Sequence, residues 1–139
     1  MGQGEEARSC LQRKLQILEQ IAAKTETLCR FIPDRKMTGI RRVLRERNAL
    51  IEELAAVNAE LAGNSAWRSL SGIEPLRQEA ASKQRQILER SRQVIQQAIE
   101  EKTRIATELK NSRIHRQVRN QYVTPYKVML PGCRFNKKG

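Results

Sequence analysis

The residues of this sequence that could carry out catalysis are few and widely separated. His115 is the one histidine, and no acidic residue lies between position 109 and the last residue to orient its imidazole ring. A relay that passes a proton from a Ser or Cys to a His needs such an orienting group. We therefore predict that His115 is a surface residue of a helix.

The three cysteines, Cys10, Cys29 and Cys133, lie far apart and form no C-x-x-C pair, which predicts neither a disulfide framework nor a zinc site. Cys10 and Cys29 fit an apolar helical pattern and are expected to pack, whereas Cys133 is a candidate reactive thiol. The sequence also contains no Gly-rich phosphate loop, no H-E-x-x-H pair and no cluster of carboxylates. We predict no enzymatic activity, no catalytic residue, no cofactor and no metal ion.

The composition indicates an all-α protein. Only 4% of the 139 residues are aromatic, and the chain is dominated by residues that lose little rotamer freedom in a helix. We predict an elongated antiparallel three-helix bundle or coiled coil with a long third helix and an irregular C-terminal tail.

Two heptad patterns predict the first two helices. Residues 11, 15, 18, 22, 25, 29 and 32 form the first pattern, which Pro33 ends, and this predicts a helix at about 5–32. The second pattern runs through residues 40, 43, 47, 50, 54, 57 and 61, with Leu44, Ile51 and Asn58 beside it, and predicts a helix at about 36–62 that ends at Gly63-Asn64.

A loop at 63–74 carries Trp67, which we expect to close the end of the bundle, with contact to a partner as the alternative. Pro75 suits the first turn of a third helix at about 75–119. At 1.5 Å per residue this helix would reach nearly 70 Å, against roughly 40 Å for each of the others. Its C-terminal part should therefore extend past the first two helices and present an apolar stripe.

Residues 121–139 are predicted to form an apolar and basic tail after a 1–120 bundle. Pro125, Pro131 and Gly132 argue against continued helix there, yet the segment is too apolar for simple disorder. More than half of the net charge of +12 lies in residues 111–139, which contain 7 basic and no acidic residues, whereas residues 1–110 contain 20 and 15. Such a tail is typical either of an anionic contact or of a solvated arm.

Two segments of this chain resemble the FlgN family of flagellar export chaperones. The segment 46–61, Glu-Arg-Asn-Ala-Leu-Ile-Glu-Glu-Leu-Ala-Ala-Val-Asn-Ala-Glu-Leu, is similar to the charged and Leu-rich stretch of that family. The segment 132–139, Gly-Cys-Arg-Phe-Asn-Lys-Lys-Gly, is similar to a Gly-x-x-Phe-Asp-Lys-Lys-Gly ending found in many members. Asn136 stands where Asp is more usual, and the chain is more basic than many members.

The resemblance implies a bacterial cytoplasmic chaperone of type III export that binds the C-terminal helical segments of hook-associated proteins and prevents premature assembly. Components of the export apparatus are further partners to consider, and the protein would be a monomer or a dimer without a membrane anchor. Partner binding would use the C-terminal part of the third helix and the tail, with the candidates Ile105, Leu109, Ile114, Val118, Tyr122, Val123, Tyr126, Met129 and Leu130.

Three other interpretations stay open. The candidate residues could only close the bundle or a homodimer. A basic coiled coil that binds nucleic acid, a lower-ranked alternative, would contact phosphates through residues such as Arg113, Arg116 and Arg119, and its affinity would fall steeply with salt. A structural coiled coil that self-associates would use the same leucine heptads, because a heptad pattern does not separate intramolecular from intermolecular pairing.

Overall fold

The computed structural model describes residues 2–128, and it describes the surroundings of side chains for residues 2–120. Three α-helices account for most of this range: α1 at Gln3–Phe31, α2 at Met37–Gly63 and α3 at Glu74–Val128. A short 3-10 helix at Ser65–Ser69 joins α2 to α3. The prediction of an all-α bundle with a long third helix is therefore confirmed.

The predicted end of the third helix is wrong, because α3 continues through Pro125 to Val128. Residues 109–124 contain neither Gly nor Pro, and Pro125 lies in the last turn, where it removes one backbone donor close to a helix end. Residues 121–128 are thus helical and not irregular. The rest of the predicted tail, including Met129 and Leu130, lies outside the described residues.

The segment between α2 and α3 is more ordered than the loop predicted there. Its 3-10 helix buries Trp67, which is 6% exposed and belongs to the main core cluster. Gly72, at φ 86, follows in the left-handed region that glycine adopts without strain. The prediction that Trp67 closes the bundle end is confirmed.

The chain divides into two units, Met1–Ile99 and Glu100–Gly139. In the first unit, α1 and α2 run antiparallel, since Arg13 pairs with Glu60 and Lys24 pairs with Glu46. The first part of α3 runs parallel to α1 and antiparallel to α2. The backbones of α1 and α2 approach each other closely, whereas α3 packs on them mainly through side chains.

Helix α1 supplies more buried residues to the core of this unit than any other element. Its buried face is wider than the predicted heptad seam, because Ile17, Ile21 and Leu28 are buried while the seam residues Leu15 and Ala22 are only half-buried. A wide face is what a helix needs when it contacts two neighbours. The core is completed by Val43 and Val57 from α2 and by Ile73, Ala80, Ile87 and Val94 at the start and along the first part of α3.

The second unit, as far as its side chains are described, is one continuous stretch of α3. Glu101 is 7% exposed and lies 3.1 Å from the guanidinium of Arg104, and Ile105 is half-buried. Every other side chain from 102 to 120 is exposed. Among the helices of the described range, none has the length and apolar character that crossing a membrane requires.

Candidate partner-binding surfaces

The structure places four of the predicted binding residues on α3 with described side chains. Leu109, Ile114 and Val118 are 54%, 48% and 44% exposed, and Ile105 is half-buried. Large aliphatic side chains that remain this accessible on one helix are typical of surfaces that bind a partner. We call residues 105–118 the distal α3 surface.

These four residues do not form the single stripe that the sequence predicted. Successive residues of an α-helix are 100° apart, so Leu109 lies within about 40° of Ile105. Ile114 lies about 180° from Ile105, with Val118 beside it. The distal α3 surface therefore has two apolar edges on opposite sides of the helix, Ile105 with Leu109 and Ile114 with Val118.

The remaining predicted binding residues cannot be placed on this surface. Tyr122, Val123 and Tyr126 belong to the helical backbone of α3, but their side chains lie outside the described surroundings. Met129 and Leu130 lie outside the described residues altogether. Their role in binding stays a prediction.

Basic residues accompany the apolar edge formed by Ile105 and Leu109. Arg113, Arg116 and Arg119 are all exposed and three residues apart, so they follow one another along one side of α3. His115 is exposed as well, which confirms its prediction as a surface helix residue. The guanidinium groups along this side of α3 are therefore accessible to an anionic partner.

A second apolar surface lies within the first unit, where two exposed residues on α2 match two on α3. Leu44 and Ile51 are 41% and 38% exposed, and Leu88 and Ile95 are 54% and 59% exposed. Each directly follows a residue that packs inward, namely Val43, Leu50, Ile87 and Val94 in that order. Each therefore lies about 100° around its helix from the core.

Contacts with α1 show which way these four residues face. On α2, Glu46 and Glu60 form ion pairs with residues of α1. Each lies three residues after a core residue, so it is about 60° around the helix from the core, in the direction opposite to the exposed aliphatic residues. On α3, Arg90 and Gln97 also lie three residues after a core residue. Both contact α1, since Arg90 pairs with Glu26 and Gln97 donates a hydrogen bond to the Cys29 carbonyl oxygen. The exposed aliphatic residues are thus on the edges turned away from α1.

A hydrogen bond between α2 and α3 shows that these edges face each other. Arg47 donates through Nη2 to Ser91 Oγ at 2.7 Å, and both residues lie four positions after a core residue, on the side of the exposed aliphatics. Because the helices are antiparallel, this bond also sets the register. It brings three pairs to matching levels: Leu44 with Ile95, Ile51 with Leu88, and Asn58 with Ala81. We call this surface the α2–α3 groove.

The groove continues into a cavity beside Trp67. The cavity has a volume of about 410 Å³, and its walls include Asn58 and Ala62 of α2, Ala81 of α3 and the indole of Trp67. Ala62 and Ala81 are exposed, so the cavity opens to the surface between the two helices. A volume of this size accepts a large side chain or a small ligand.

Cations outnumber anions around both parts of this surface. Arg41, Arg45, Arg85 and Arg92 border the aliphatic pairs, against Glu52 and Glu89. The cavity is lined by Lys14, Arg68 and Arg77, against Glu74, which pairs with Arg77 at 2.9 Å. Burial lowers the pKa of the Lys14 ammonium group, and no described residue forms an ion pair with it.

Polar groups inside the described part of the bundle have hydrogen-bond partners. The half-buried Arg47 donates to Thr25 Oγ1 at 3.1 Å as well as to Ser91, and burial lowers its pKa. Burial also raises the pKa of the Cys10 thiol, which favours the unreactive protonated form. The described residues contain no group of three metal-ligating side chains and no buried side-chain polar atom without a partner.

Sequence reasoning missed the α2–α3 groove, although part of its signal was present. Leu44, Ile51 and Asn58 were recognised beside the second heptad pattern, but only as a widening of the core face. A large apolar residue directly after two core positions of each helix is the pattern that indicates a second face. The pairing of those faces required the register of α2 against α3, which the Arg47 to Ser91 bond provides.

Comparison with known proteins adds no relative. No protein-family model, no curated protein and no solved structure matches this chain.

Proposed function

We propose that this protein is a bacterial cytoplasmic chaperone of the FlgN type, which binds the C-terminal helical segments of hook-associated proteins before their export. The observation that carries the proposal is the exposure of Leu109, Ile114 and Val118, at 54%, 48% and 44%, on a helix built from residues of high helix propensity. Such side chains lose contact with water when an amphipathic helix packs against them.

The mechanism is helix-on-helix packing. Residues four apart on α3, Ile105 with Leu109 and Ile114 with Val118, form the short apolar ridges that interlock with those of a partner helix. Covering the apolar face of an export substrate in this way withholds the face that would otherwise pair with another subunit. No bond is made or broken, so the proposed function includes no catalytic step.

Two edges on opposite sides of α3 favour a partner that contacts more than one side of the helix. A segment containing two amphipathic helices could place one on each edge. The alternative that these residues only close a homodimer predicts that the same substitutions change the mass of the protein in solution.

The proposal is tested by capture of purified hook-associated proteins, full-length and lacking their C-terminal helical segments, at low and high salt. We expect salt-resistant capture of the full-length proteins only, because apolar burial is not screened by ions. The variant Leu109→Gln/Ile114→Gln should lose capture. The matched control Leu44→Gln/Ile95→Gln changes two equally accessible aliphatic residues elsewhere and should retain it. Capture that survives the first variant would contradict the proposed site.

Binding of nucleic acid is a second candidate, favoured by the row of exposed arginines at 113, 116 and 119. Phosphate contacts through three arginines would make the logarithm of the binding constant fall with the logarithm of salt concentration at a slope of about −2 to −3. A slope of that size with single-stranded or duplex DNA, together with no capture of hook-associated proteins, would favour this candidate.

A further inference from the structure

The α2–α3 groove has the shape and chemistry to receive a fourth helix. Two matched levels, Leu44 with Ile95 and Ile51 with Leu88, place aliphatic side chains along two antiparallel helices. The third level, Asn58 with Ala81, lies at the cavity. Bundles of this kind gain stability when an additional amphipathic helix packs between two existing ones. A helix that packs in the groove would contact aliphatic side chains over two turns, and one large apolar side chain near its end could enter the cavity.

The charges around the groove select among possible occupants. Arg41, Arg45 and Arg85 form no ion pair with any described residue, and Arg92 lies 3.8 Å from Glu89. A helix with carboxylates beside its apolar stripe would pair with these arginines. Inside the cavity, Lys14 could pair with a further carboxylate, because its ammonium group is half-buried and forms no ion pair with a described residue. Burial lowers its pKa.

Three other occupants fit the groove less well. A second copy packed groove against groove would oppose the same row of arginines twice, which is repulsive. The residues 129–139 of this chain carry Arg134, Lys137 and Lys138 and no acid, so they bring more positive charge to a basic rim. The phosphates of a nucleic acid could pair with the arginines, but the aliphatic side chains of the groove would then contact a charged backbone.

We propose that the α2–α3 groove is a docking site for an acidic amphipathic helix of a partner protein, whose apolar stripe lies on Leu44, Ile51, Leu88 and Ile95 and whose anchor side chain enters the cavity beside Trp67. This surface shares no residue with the distal α3 surface. The proposal therefore stands or fails independently of the proposed chaperone function.

The test uses the full chain and three labelled synthetic peptides of about three heptads each. The first has Leu at the core positions and Glu at the flanking positions, the second has Lys in place of Glu, and the third has Gln in place of Leu. Fluorescence anisotropy should show that the first peptide binds at least about tenfold more tightly than either control peptide, since both the apolar stripe and the charge contribute. Equal binding of the Glu and Lys peptides, or no binding of the Glu peptide, would overturn the proposal.

Variants of the protein locate the site. Leu44→Gln/Ile95→Gln should weaken binding of the Glu peptide at least about tenfold, and Ala81→Phe, which adds bulk at an exposed position of the cavity mouth, should weaken it similarly. Arg41→Gln/Arg85→Gln should weaken it by about threefold, with the difference disappearing at high salt. The control Ile114→Gln/Val118→Gln should bind as the unchanged protein does. Circular dichroism of each variant establishes that it is folded.

Two outcomes would assign the surface differently. If the groove variants bind the Glu peptide normally while the control variant loses it, the peptide occupies the distal α3 surface and the groove proposal is wrong. If sedimentation shows a dimer that Leu44→Gln/Ile95→Gln converts to a monomer, the groove belongs to a second copy and the proposed partner is wrong.

Discussion

The bundle of residues 3–99 and the distal stretch of α3 use the same residue types under different conditions. Leu18 in the bundle is 1% exposed, whereas Leu109 is 54% exposed. Leu28 and Ile87 are buried in the bundle, and Ile114 and Val118 are open on α3. The two regions therefore differ in what covers their side chains and not in their helical character.

This difference separates two sources of helix stability. In the bundle, burial of an apolar face removes aliphatic surface from water and outweighs the cost of ordering the chain. In residues 102–120 the described side chains provide little such burial, so local propensity and pairs such as Glu101 with Arg104 must maintain the helix. A region of this kind has apolar surface left for a partner.

Removal of a large aliphatic side chain should lower the free energy of unfolding more than any other change proposed here, and it should do so only in the bundle. We expect Leu18→Ala to lower the free energy of unfolding by about 2–5 kcal/mol, because it leaves a cavity in the core. Leu109→Ala should change it by less than about 0.5 kcal/mol, as is usual for exposed positions. Urea unfolding of both variants measures the two values. Similar losses would mean that Leu109 is covered in solution.

Amide hydrogen exchange should show the next largest contrast. Amides of residues 106–120 should exchange at least about 100-fold faster than those of residues 15–25, since local opening of an uncovered helix costs less than opening of the bundle. Exchange measured by mass spectrometry at peptide resolution gives this ratio. Equal protection in both regions would contradict the comparison, because it would require a covering surface on α3.

Within the bundle, the half-buried Arg47 should contribute less than the aliphatic core. We expect Arg47→Ala to lower the free energy of unfolding by about 1–2 kcal/mol, through loss of the hydrogen bonds to Thr25 and Ser91 and of methylene packing. Arg47→Met should lose less, because it keeps an unbranched apolar chain. Thermal unfolding of the two variants side by side tests this order, and a larger loss for Met would refute it.

The ion pair between Glu26 and Arg90, with oxygen and nitrogen 2.8 Å apart, should have the smallest effect. The hydrogen bond from Arg90 lowers the pKa of the Glu26 carboxyl from its ordinary value of 4.5. A carboxyl with a depressed pKa stabilises the fold above its unfolded pKa, and that stability is lost as the pH falls through the folded pKa.

Glu26→Gln should therefore be slightly less stable than the unchanged protein near neutral pH, and the difference should vanish in strong acid and at high salt. Chemical unfolding across pH measures it. Glu19→Gln, which alters an exposed glutamate of the same helix that has no ion pair with a described residue, is the matched control and should leave the free energy of unfolding near neutral pH unchanged. A difference that persists below the folded pKa would contradict the role of the ion pair.

Much of the fold could be predicted because periodicity and helix breakers act locally. The starts of α2 and α3 follow from the patterns around Met37 and Pro75, and Pro33 marks the end of α1. The extension of α3 past Asn120 could not be predicted from Pro125 alone, because the effect of proline depends on its distance from the helix end. Trp67 was correctly expected to be buried, since an isolated indole beside apolar helices rarely stays exposed.

The candidate site was less predictable. Exposure of Leu109, Ile114 and Val118 was anticipated from the length of α3, but their division between two edges follows from the five-residue step between 109 and 114. The α2–α3 groove was not predicted, because the side of α2 that carries Leu44 forms a groove only when α3 packs beside it in a particular register. Register between distant helices is set by contacts such as Arg47 with Ser91, which the heptad pattern does not encode.

The proposed chaperone function requires that the exposed aliphatic residues of the distal α3 surface bind a helical segment of a hook-associated protein. The most direct measurement is isothermal titration of this chain with a synthetic peptide of such a C-terminal helical segment, at about 0.1 M and about 0.5 M salt and at several temperatures. We expect a dissociation constant that changes by less than about threefold with salt and a negative heat-capacity change, the marker of apolar burial. An absence of binding, or a loss of affinity of more than about tenfold at the higher salt, would contradict the claim.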